Sequence, residues 1–380
     1  MLIFDVYSTI PIELVKGKGT FLYDKEGNKY LDFYGGHAVI SIGHSHPHYV
    51  ESLIEQISHL GFYSNSIQIP QQQLLAEKLV KLSGYTDYRL FLCNSGAEAV
   101  DNALKIASFH NRKNKIISFK KAFHGRTIGA LSVTDNPKIV TSFNEKFYSI
   151  ILDHKDQEGL ECAIKKGDIC AVITEGIQGV AGIIDPGGDF FLFLQEYCRK
   201  YNVPLILDEI QSGYGRSGDF FAHKSAGISP DLIAVAKGMG NGFPIGGVLI
   251  APYFKAFHGM LGTTFGGNYL SCTAALSVLE VIKNECLIEN VRHIGNMLIK
   301  TLREIPQIKR ISGRGLMLGL HFDFPVYNLR ETLLKREKVF VGTAIQPNIL
   351  RVLPPLSISN YQAMCFVRKL KSALAYLENE

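Results

Sequence analysis

The central part of the chain alternates short apolar runs with amphipathic helical patterns. The apolar runs lie between about residues 89 and 251 and read RLFLC, KIISF, YSIIL, CAVITE, PLILDE, LIAVAK and GGVLIA. Helical patterns lie between them at residues 97–110, 159–166 and 190–201. Runs that are apolar throughout, rather than at every second residue, predict strands with both faces buried. We therefore expect an α/β fold whose large domain has a mainly parallel sheet covered by helices.

The flanking segments have a different pattern. Residues 21–33, FLYDKEGNKYLDF, predict a hairpin with its turn at residues 24–28. After Asn268, two long helical patterns run to about residue 304. Short strands (GLMLGLHF, VFVGTA and LRVLPP) then mix with helices at 326–337 and 359–378. This change predicts a smaller α+β domain made of residues 1–45 and 264–380, beside a large domain of residues 46–263.

Two further helices are predicted before the central region. One begins at Pro47 and the other at Pro70, a residue type favoured in the first turn of a helix, and the second ends at Gly84. The first helix places its apolar residues on one face: Val50, Leu53, Ile54, Ile57 and Leu60.

The composition narrows the class of protein. Of 380 residues, 46% are hydrophobic and 20% are charged, as in an ordinary globular protein. The net charge of +5 comes without a run of Lys or Arg, so we expect no nucleic-acid partner. We expect no secretion signal and no membrane span. Seven cysteines without a CxxC pair indicate free thiols in a reducing compartment, and we expect a cytoplasmic protein.

Four of the predicted strands end in residues that can carry chemistry. The run LFLC leads into Asn94, Ser95, Gly96 and Ala97, and the others end at Glu175, Asp208 and Lys237. In open α/β sheets, ligands bind beyond the carboxyl ends of the strands. These residues are therefore expected to line one site.

Each residue has an ordinary explanation when it is taken alone. Ser95 could simply cap a helix, Asp208 could cap a turn, and Lys237 could extend into solvent. Together they suggest one ligand. A buried lysine has a lowered pKa and a free amine, a helix N-terminus binds phosphate, and a carboxylate can face a pyridinium nitrogen. Pyridoxal 5′-phosphate (PLP) uses all three groups.

Two other motifs are weaker. The segment GYGRSG at 213–218 matches the dinucleotide pattern G-x-G-x-x-G, but Gly227 and Pro230 interrupt the helix that must follow. The segment GHSHPH contains three alternating histidines, a spacing unlike that of zinc sites, and predicts a turn before a helix.

Seven segments carry a resemblance to a known family. They are FYGGHAVISIGHSHP, NSGAEAVDNALKIA, FHGRT, LILDEIQSGYGRSG, AVAKGMGNGFPIGG, GTTFGGN and LRVLPPL. In order and spacing the chain resembles the class III, ornithine-type aminotransferases of the fold-type I PLP superfamily. It is most similar to the acetylornithine aminotransferases among them.

The resemblance implies roles for the cofactor-binding residues. Lys237 would bind PLP covalently and then move the proton of the substrate, and Asp208 would face the ring nitrogen. The ion pair of Asp208 would be with the cofactor rather than with a side chain. The remaining contacts would come from Gln211 at the ring hydroxyl, Phe123 on the ring face, Ser95, Gly96 and Ala97 at the phosphate, and Thr264 at the phosphate of a neighbouring subunit. A homodimer with shared active sites follows from the last contact.

The resemblance also implies substrate contacts. Arg126, helped by Tyr7, would bind the α-carboxylate of the ornithine derivative, and Arg351 would bind that of glutamate or 2-oxoglutarate. His37 would lie in the same pocket. The expected reaction moves the δ-amine of an N-acylated ornithine (acetyl or succinyl) to 2-oxoglutarate in arginine biosynthesis. The alternatives are ornithine, 4-aminobutyrate or another ω-amine as donor, and a non-catalytic scaffold with the same fold.

The chain departs from the family pattern in the stretch EGIQGVAG, residues 175–182. Gly176 stands in place of a proline and Val180 in place of a glutamate, and Tyr269 replaces the proline of GGNP. In the family that glutamate masks the arginine matching Arg351. We therefore hypothesise an unmasked Arg351 that accepts a second carboxylate, as N-succinylornithine would provide. The alternative is that solvent or another acid neutralises Arg351.

Overall fold

The computed structural model describes residues 2–142, 144 and 149–379. Tyr148, the first residue of the predicted run YSIIL, lies outside these ranges. The strands are β1 Leu14–Lys18, β2 Phe21–Asp24, β3 Lys29–Asp32, β4 Arg89–Cys93, β5 Lys115–Phe119, β6 Ser149–Leu152, β7 Ile169–Glu175, β8 Leu205–Asp208, β9 Leu232–Val235, β10 Gly246–Ile250, β11 Arg310–Arg314, β12 Met317–His321, β13 Val339–Phe340, β14 Gly342–Thr343 and β15 Ile349–Val352. The helices are α1 Gly35–Ala38, α2 Pro47–His59, α3 Pro70–Ser83, α4 Gly96–Asn111, α5 Ile128–Ser132, α6 Gln157–Lys165, α7 Gly188–Lys200, α8 Tyr269–Asn284, α9 Leu287–Leu302, α10 Tyr327–Lys335 and α11 Asn360–Glu378.

The central sheet has seven strands in the order β4-β10-β9-β8-β7-β5-β6. Strands β6, β5, β7, β8 and β9 pair in parallel, whereas β10 is antiparallel to both of its neighbours. The predicted mainly parallel α/β sheet is confirmed. The apolar run GGVLIA predicts a strand here, but it does not show that β10 runs antiparallel to its neighbours.

Both faces of this sheet are buried. Successive residues of β8 belong to different hydrophobic clusters. Ile206 packs in a cluster with residues of α4, whereas Leu205 and Leu207 pack in a cluster with residues of α6 and α7. Continuous burial on two faces is the physical reason why the strands are apolar throughout.

Two smaller sheets complete the fold, in the orders β1-β2-β3-β13 and β11-β12-β15-β14. The predicted hairpin is β2 and β3, and β3 pairs in parallel with β13, more than 300 residues later in the chain. Helix α8 packs against α2 and α3 as well as α9. The assignment of two domains with a boundary at 263/264 stays a prediction.

The apolar face of α2 is not covered by the chain itself. No residue of α2 is buried, and Ile54 and Ile57 are each 62% exposed. Other exposed apolar residues lie on this helix or soon after it in the chain: Val50, Leu60, Phe62, Tyr63 and Ile67. The exposed ring of Phe265 contacts that of Phe62. Within the described residues, no helix is both long and apolar enough to cross a membrane.

Candidate active site

A cavity of about 420 Å³ lies at the carboxyl ends of the central strands. Glu175 ends β7 and Asp208 ends β8, and the two are paired in the parallel register. Asp208 is paired in turn with Ala234 of β9, and Lys237 begins the short turn of 3₁₀ helix that follows β9. The register of three neighbouring strands therefore brings Glu175, Asp208 and Lys237 to one cavity, which all three line.

Lys237 is held with its amine in the cavity rather than in solvent. Its φ of 46° is in the left-handed region, a strained conformation for a lysine that recurs at functional sites. Burial lowers the pKa of its amine, an effect that Asp208 and Glu175 oppose. Among the described residues the amine has no hydrogen-bond partner. A free amine with a lowered pKa is suited to act as a nucleophile.

Asp208 has a side-chain partner that the sequence analysis missed. His124 Nδ1 lies 2.8 Å from Asp208 Oδ2, and the histidine side chain is fully buried. The backbone N–H of Ile210 donates to the other carboxylate oxygen. The expectation that no side chain pairs with Asp208 is therefore wrong. His124 belongs to the quoted motif FHGRT, but a loop residue that meets a strand end 84 positions away leaves no periodic signal.

Glu175 is a second acid of the cavity. Burial raises the pKa of its carboxyl to about 7; Asp208 adds to the rise and His124 opposes it. Its two oxygens accept hydrogen bonds from the backbone N–H groups of Phe123 and Gly179. Glu175 therefore carries only part of a negative charge near neutral pH. Its position at the end of a strand was noted in the sequence, but no role was assigned to it.

The N-terminus of helix α4 forms another part of the cavity wall. Ser95, Gly96 and Ala97 line the cavity there. The Ser95 hydroxyl also accepts a hydrogen bond from the Glu98 backbone at 3.2 Å, so it caps the helix as well. Free N–H groups and the dipole of a 16-residue helix favour an anion at this wall.

The family model described as aminotransferase class-III matches residues 4–374. The chain is a class III aminotransferase. Enzymes of this family depend on PLP, and this aminotransferase is accordingly a PLP-dependent transaminase. The predicted fold class and cofactor are confirmed.

Known proteins resemble this aminotransferase over almost its whole length. The acetylornithine aminotransferase of Bacillus subtilis is 37% identical, with 98% of both chains covered, and that of Aquifex aeolicus is 40% identical, with 93% of this chain and 94% of the other covered. Among solved structures, the ornithine aminotransferase of Toxoplasma gondii has a TM-score of 0.92 at 30% identity, covering 100% of this chain and 94% of that chain. The acetylornithine aminotransferase of Elizabethkingia anophelis has a TM-score of 0.85 at 30% identity, covering 98% and 96%.

The residues of this aminotransferase fit PLP on structural grounds. The cavity volume suits a ligand of that size. Gln211 Oε1 and His124 Nε2 are buried polar atoms that lack a partner among the described residues, and such atoms are expensive unless a ligand or water binds them. Gly179 leaves room for Gln211, because a Cβ at position 179 would lie 1.7 Å from Gln211 Oε1.

The structure brings most of the predicted site residues together. The following line the cavity: Ser95, Gly96, Ala97, Phe123, Arg126, Asp208, Gln211 and Lys237. His37 adjoins this group, since its carbonyl accepts a hydrogen bond from Gln211 Nε2. Arg351 does not line the cavity, but it donates to the carbonyl of Gly179, next to Val180 of the lining. Their roles towards cofactor and substrate remain predictions.

Four predicted residues do not line this cavity: His37 and Arg351, which adjoin it, and Tyr7 and Thr264, which lie away from it. Tyr7 is 79% exposed in the segment before β1, which packs against little of the chain. Thr264 is exposed beside Phe265 in the loop between β10 and α8. The structure therefore does not support Tyr7 as a substrate contact within its own chain. Thr264 was predicted to serve a neighbouring subunit, for which an exposed position is required.

Arg351 has no acid in contact among the described residues, as expected from Val180, but its guanidinium is hydrogen-bonded within the chain; that it accepts a second carboxylate stays a prediction. Arg351 is 5% exposed, and its guanidinium donates to the backbone carbonyls of Thr343 and Gly179 and to the hydroxyl of Tyr34. Neither solvent nor, within the described residues, an acid in contact neutralises it. Tyr34 is thus a further site residue that the sequence analysis missed.

Proposed function

We propose that this aminotransferase transfers the δ-amine of N-acetylornithine to 2-oxoglutarate, giving N-acetylglutamate 5-semialdehyde and glutamate, in arginine biosynthesis. The proposal rests on one observation, the meeting of Lys237, Asp208 and the α4 N-terminus in one cavity. The similarity to acetylornithine aminotransferases of bacteria and an archaeon supports the choice of substrate.

The residues of the cavity divide the work of the reaction. Bound PLP supplies an electron sink for the charge left when a proton leaves the amine-bearing carbon. The Lys237 amine takes that proton and returns it in the next step, a task that its lowered pKa favours. The Asp208 carboxylate, oriented by His124, would hold the ring nitrogen of the cofactor and stabilise a positive charge on it.

The substrates are bound through their carboxylates. Arg126 is exposed at the cavity wall and is placed to bind the α-carboxylate of the amino donor. Arg351 would bind the α-carboxylate of the keto acid. Arginine suits both positions because its planar fork can bind a carboxylate through two hydrogen bonds.

Donor specificity tests the substrate. We expect kcat/KM for N-acetylornithine to exceed those for ornithine and 4-aminobutyrate by about tenfold or more, because loss of a matched contact costs about 1–3 kcal/mol. Steady-state kinetics with 2-oxoglutarate as acceptor measures this. A higher kcat/KM for ornithine or for 4-aminobutyrate than for N-acetylornithine would reject the proposal. A higher value for N-succinylornithine would assign the second carboxylate to Arg351, whose contacts include no acid among the described residues.

We also propose that two copies of the chain form a homodimer in the cytoplasm, with the exposed face of α2 in the interface. The face is apolar and its chain leaves it uncovered, as expected for a surface that a second copy buries. Thr264 lies next to Phe265, which contacts Phe62 beside that face. An interface here would carry Thr264 towards the second subunit.

The dimer predicts the effect of a charge at Ile57. In Ile57→Asp we expect the dimer to dissociate, with a dissociation constant raised by about a hundredfold or more, because two symmetry-related carboxylates would be buried without partners. Light scattering after size-exclusion chromatography measures the mass. Leu192→Asp, at a residue that is 50% exposed on α7, is the matched control and should remain dimeric. A dimer that survives in Ile57→Asp would place the interface elsewhere.

A further inference from the structure

The guanidinium of Arg351 is buried beside the cavity with no acid in contact among the described residues. Its Nε donates to the Thr343 carbonyl at 2.6 Å, Nη1 to the Gly179 carbonyl at 3.3 Å and Nη2 to the Tyr34 hydroxyl at 3.1 Å. Val180, which follows Gly179 and whose side chain has no acceptor, lines the cavity. A buried cation without a counter-charge is a strong attractor for an anionic ligand.

The Tyr34 hydroxyl is held in one orientation by a second contact. It lies 2.5 Å from His37 Nδ1. Because an arginine can only donate, the hydroxyl oxygen accepts from Arg351, and the hydroxyl proton can go to His37 Nδ1 when the imidazole carries its proton on the other nitrogen. Burial raises the pKa of Tyr34 and lowers that of His37, so both groups are uncharged near neutral pH.

The fold fixes the tyrosine ring against Arg351. Gly342 of β14 is paired with Arg351 of β15, and a Cβ at Gly342 would lie 2.1 Å from a carbon of the Tyr34 ring. His37 has a φ of 66°, and Gln211 holds its carbonyl. The ring therefore occupies a space that a glycine leaves open, and the histidine is positioned by a residue of the cavity.

We propose that Tyr34, oriented by His37, is an uncharged and displaceable cap on the Arg351 guanidinium that sets the affinity of the site for the carboxylate of the keto acid. The proposal rests on the function proposed above. To displace an acid from Arg351, a substrate carboxylate would have to break a strong hydrogen bond between two charged groups. To displace the Tyr34 phenol, it breaks only one weaker hydrogen bond to an uncharged acceptor. The cap thus satisfies a buried donor in the empty site and gives way when a carboxylate arrives.

Tyr34→Phe tests the cap, because it keeps the ring and removes the hydroxyl. We expect the dissociation constant of glutarate, measured by titration calorimetry on the PLP-loaded protein, to fall about fivefold, the equivalent of one net hydrogen bond. We expect the KM for 2-oxoglutarate to fall by the same factor. The KM for N-acetylornithine should not change, since its carboxylate is assigned to Arg126.

Two further variants keep the test decisive. Tyr88→Phe, which removes a hydroxyl bonded to the Pro230 carbonyl, is the matched control and should leave the glutarate affinity unchanged. Gly342→Ala should push the Tyr34 ring aside and tighten glutarate binding as Tyr34→Phe does. An unchanged affinity of Tyr34→Phe for glutarate would overturn the proposal. A weaker affinity would also overturn it, because it would show that the hydroxyl helps to bind the carboxylate. Tighter glutarate binding in a protein that does not convert N-acetylornithine would leave the cap in place and reject the proposed function.

Discussion

Lys237→Ala should lower kcat by about 10⁴-fold or more, because the same amine serves as nucleophile and as acid and base. Its position supports this expectation, since the amine lies in the cavity with a lowered pKa and lacks a partner among the described residues. Lys237→Arg should be as inactive, because a guanidinium keeps its proton. Steady-state kinetics measures the loss. Borohydride reduction followed by mass spectrometry should place the cofactor on Lys237 in the unaltered protein only.

Lys224→Ala is a suitable control for this experiment. Lys224 is another lysine whose pKa is lowered by burial, but its amine lies 3.5 Å from the centre of the Tyr85 ring and outside the cavity. We expect this variant to keep its activity. Appreciable turnover by Lys237→Ala, or cofactor attached to another lysine, would remove the basis of the proposed mechanism.

Asp208→Asn should lower kcat by about 10³-fold, close to the effect of removing one preorganised electrostatic contact from an active site. The substitution keeps the shape of the side chain and removes its charge. PLP should also bind more weakly, since the ring nitrogen loses its counter-charge. Kinetics with saturating PLP and the dissociation constant of PLP, measured by fluorescence, would separate these two effects.

Asp231→Asn is the matched control for the second prediction. Asp231 is a partly buried aspartate at the opposite end of the sheet, where it accepts a hydrogen bond from the Leu205 backbone. Burial raises its pKa, and an asparagine keeps an oxygen that can accept the Leu205 hydrogen bond, so the replacement should be tolerated. If Asp208→Asn kept both the activity and the PLP affinity of the unaltered protein, Asp208 would not face the ring nitrogen.

The local pattern of the sequence was enough to predict the main elements of the fold. The helix after Pro70 ends at Gly84, which adopts a left-handed conformation as its residue type allows. The strands ending at Asp208 and Glu175 could be recognised because apolar runs stop abruptly at charged residues. The same pattern could not give the direction of β10 or show that α2 leaves its apolar face exposed, since both depend on neighbours distant in the chain.

The contacts within the site show the same division. Lys237, Asp208 and Ser95 could be predicted because each lies at the end of a strand, a position that the sequence reveals. The pair of His124 with Asp208 could not, because a loop residue carries no periodicity that points to its partner. The contact between Tyr34 and Arg351 was missed for a related reason, since Val180 showed that an acid is missing but not that the Tyr34 hydroxyl bonds to the guanidinium.

The amino-acid sequence by itself determined the layered α/β fold, the family and the strand ends at which the Lys237 amine, the Asp208 carboxylate and the α4 N-terminus lie. These follow from apolar periodicity and from short motifs, which are local properties of the chain. Only the tertiary structure decided which side chains meet there. Tyr34 and Arg351 are 317 positions apart, and it is the pairing of β14 with β15 and the space left at Gly342 that bring them into contact.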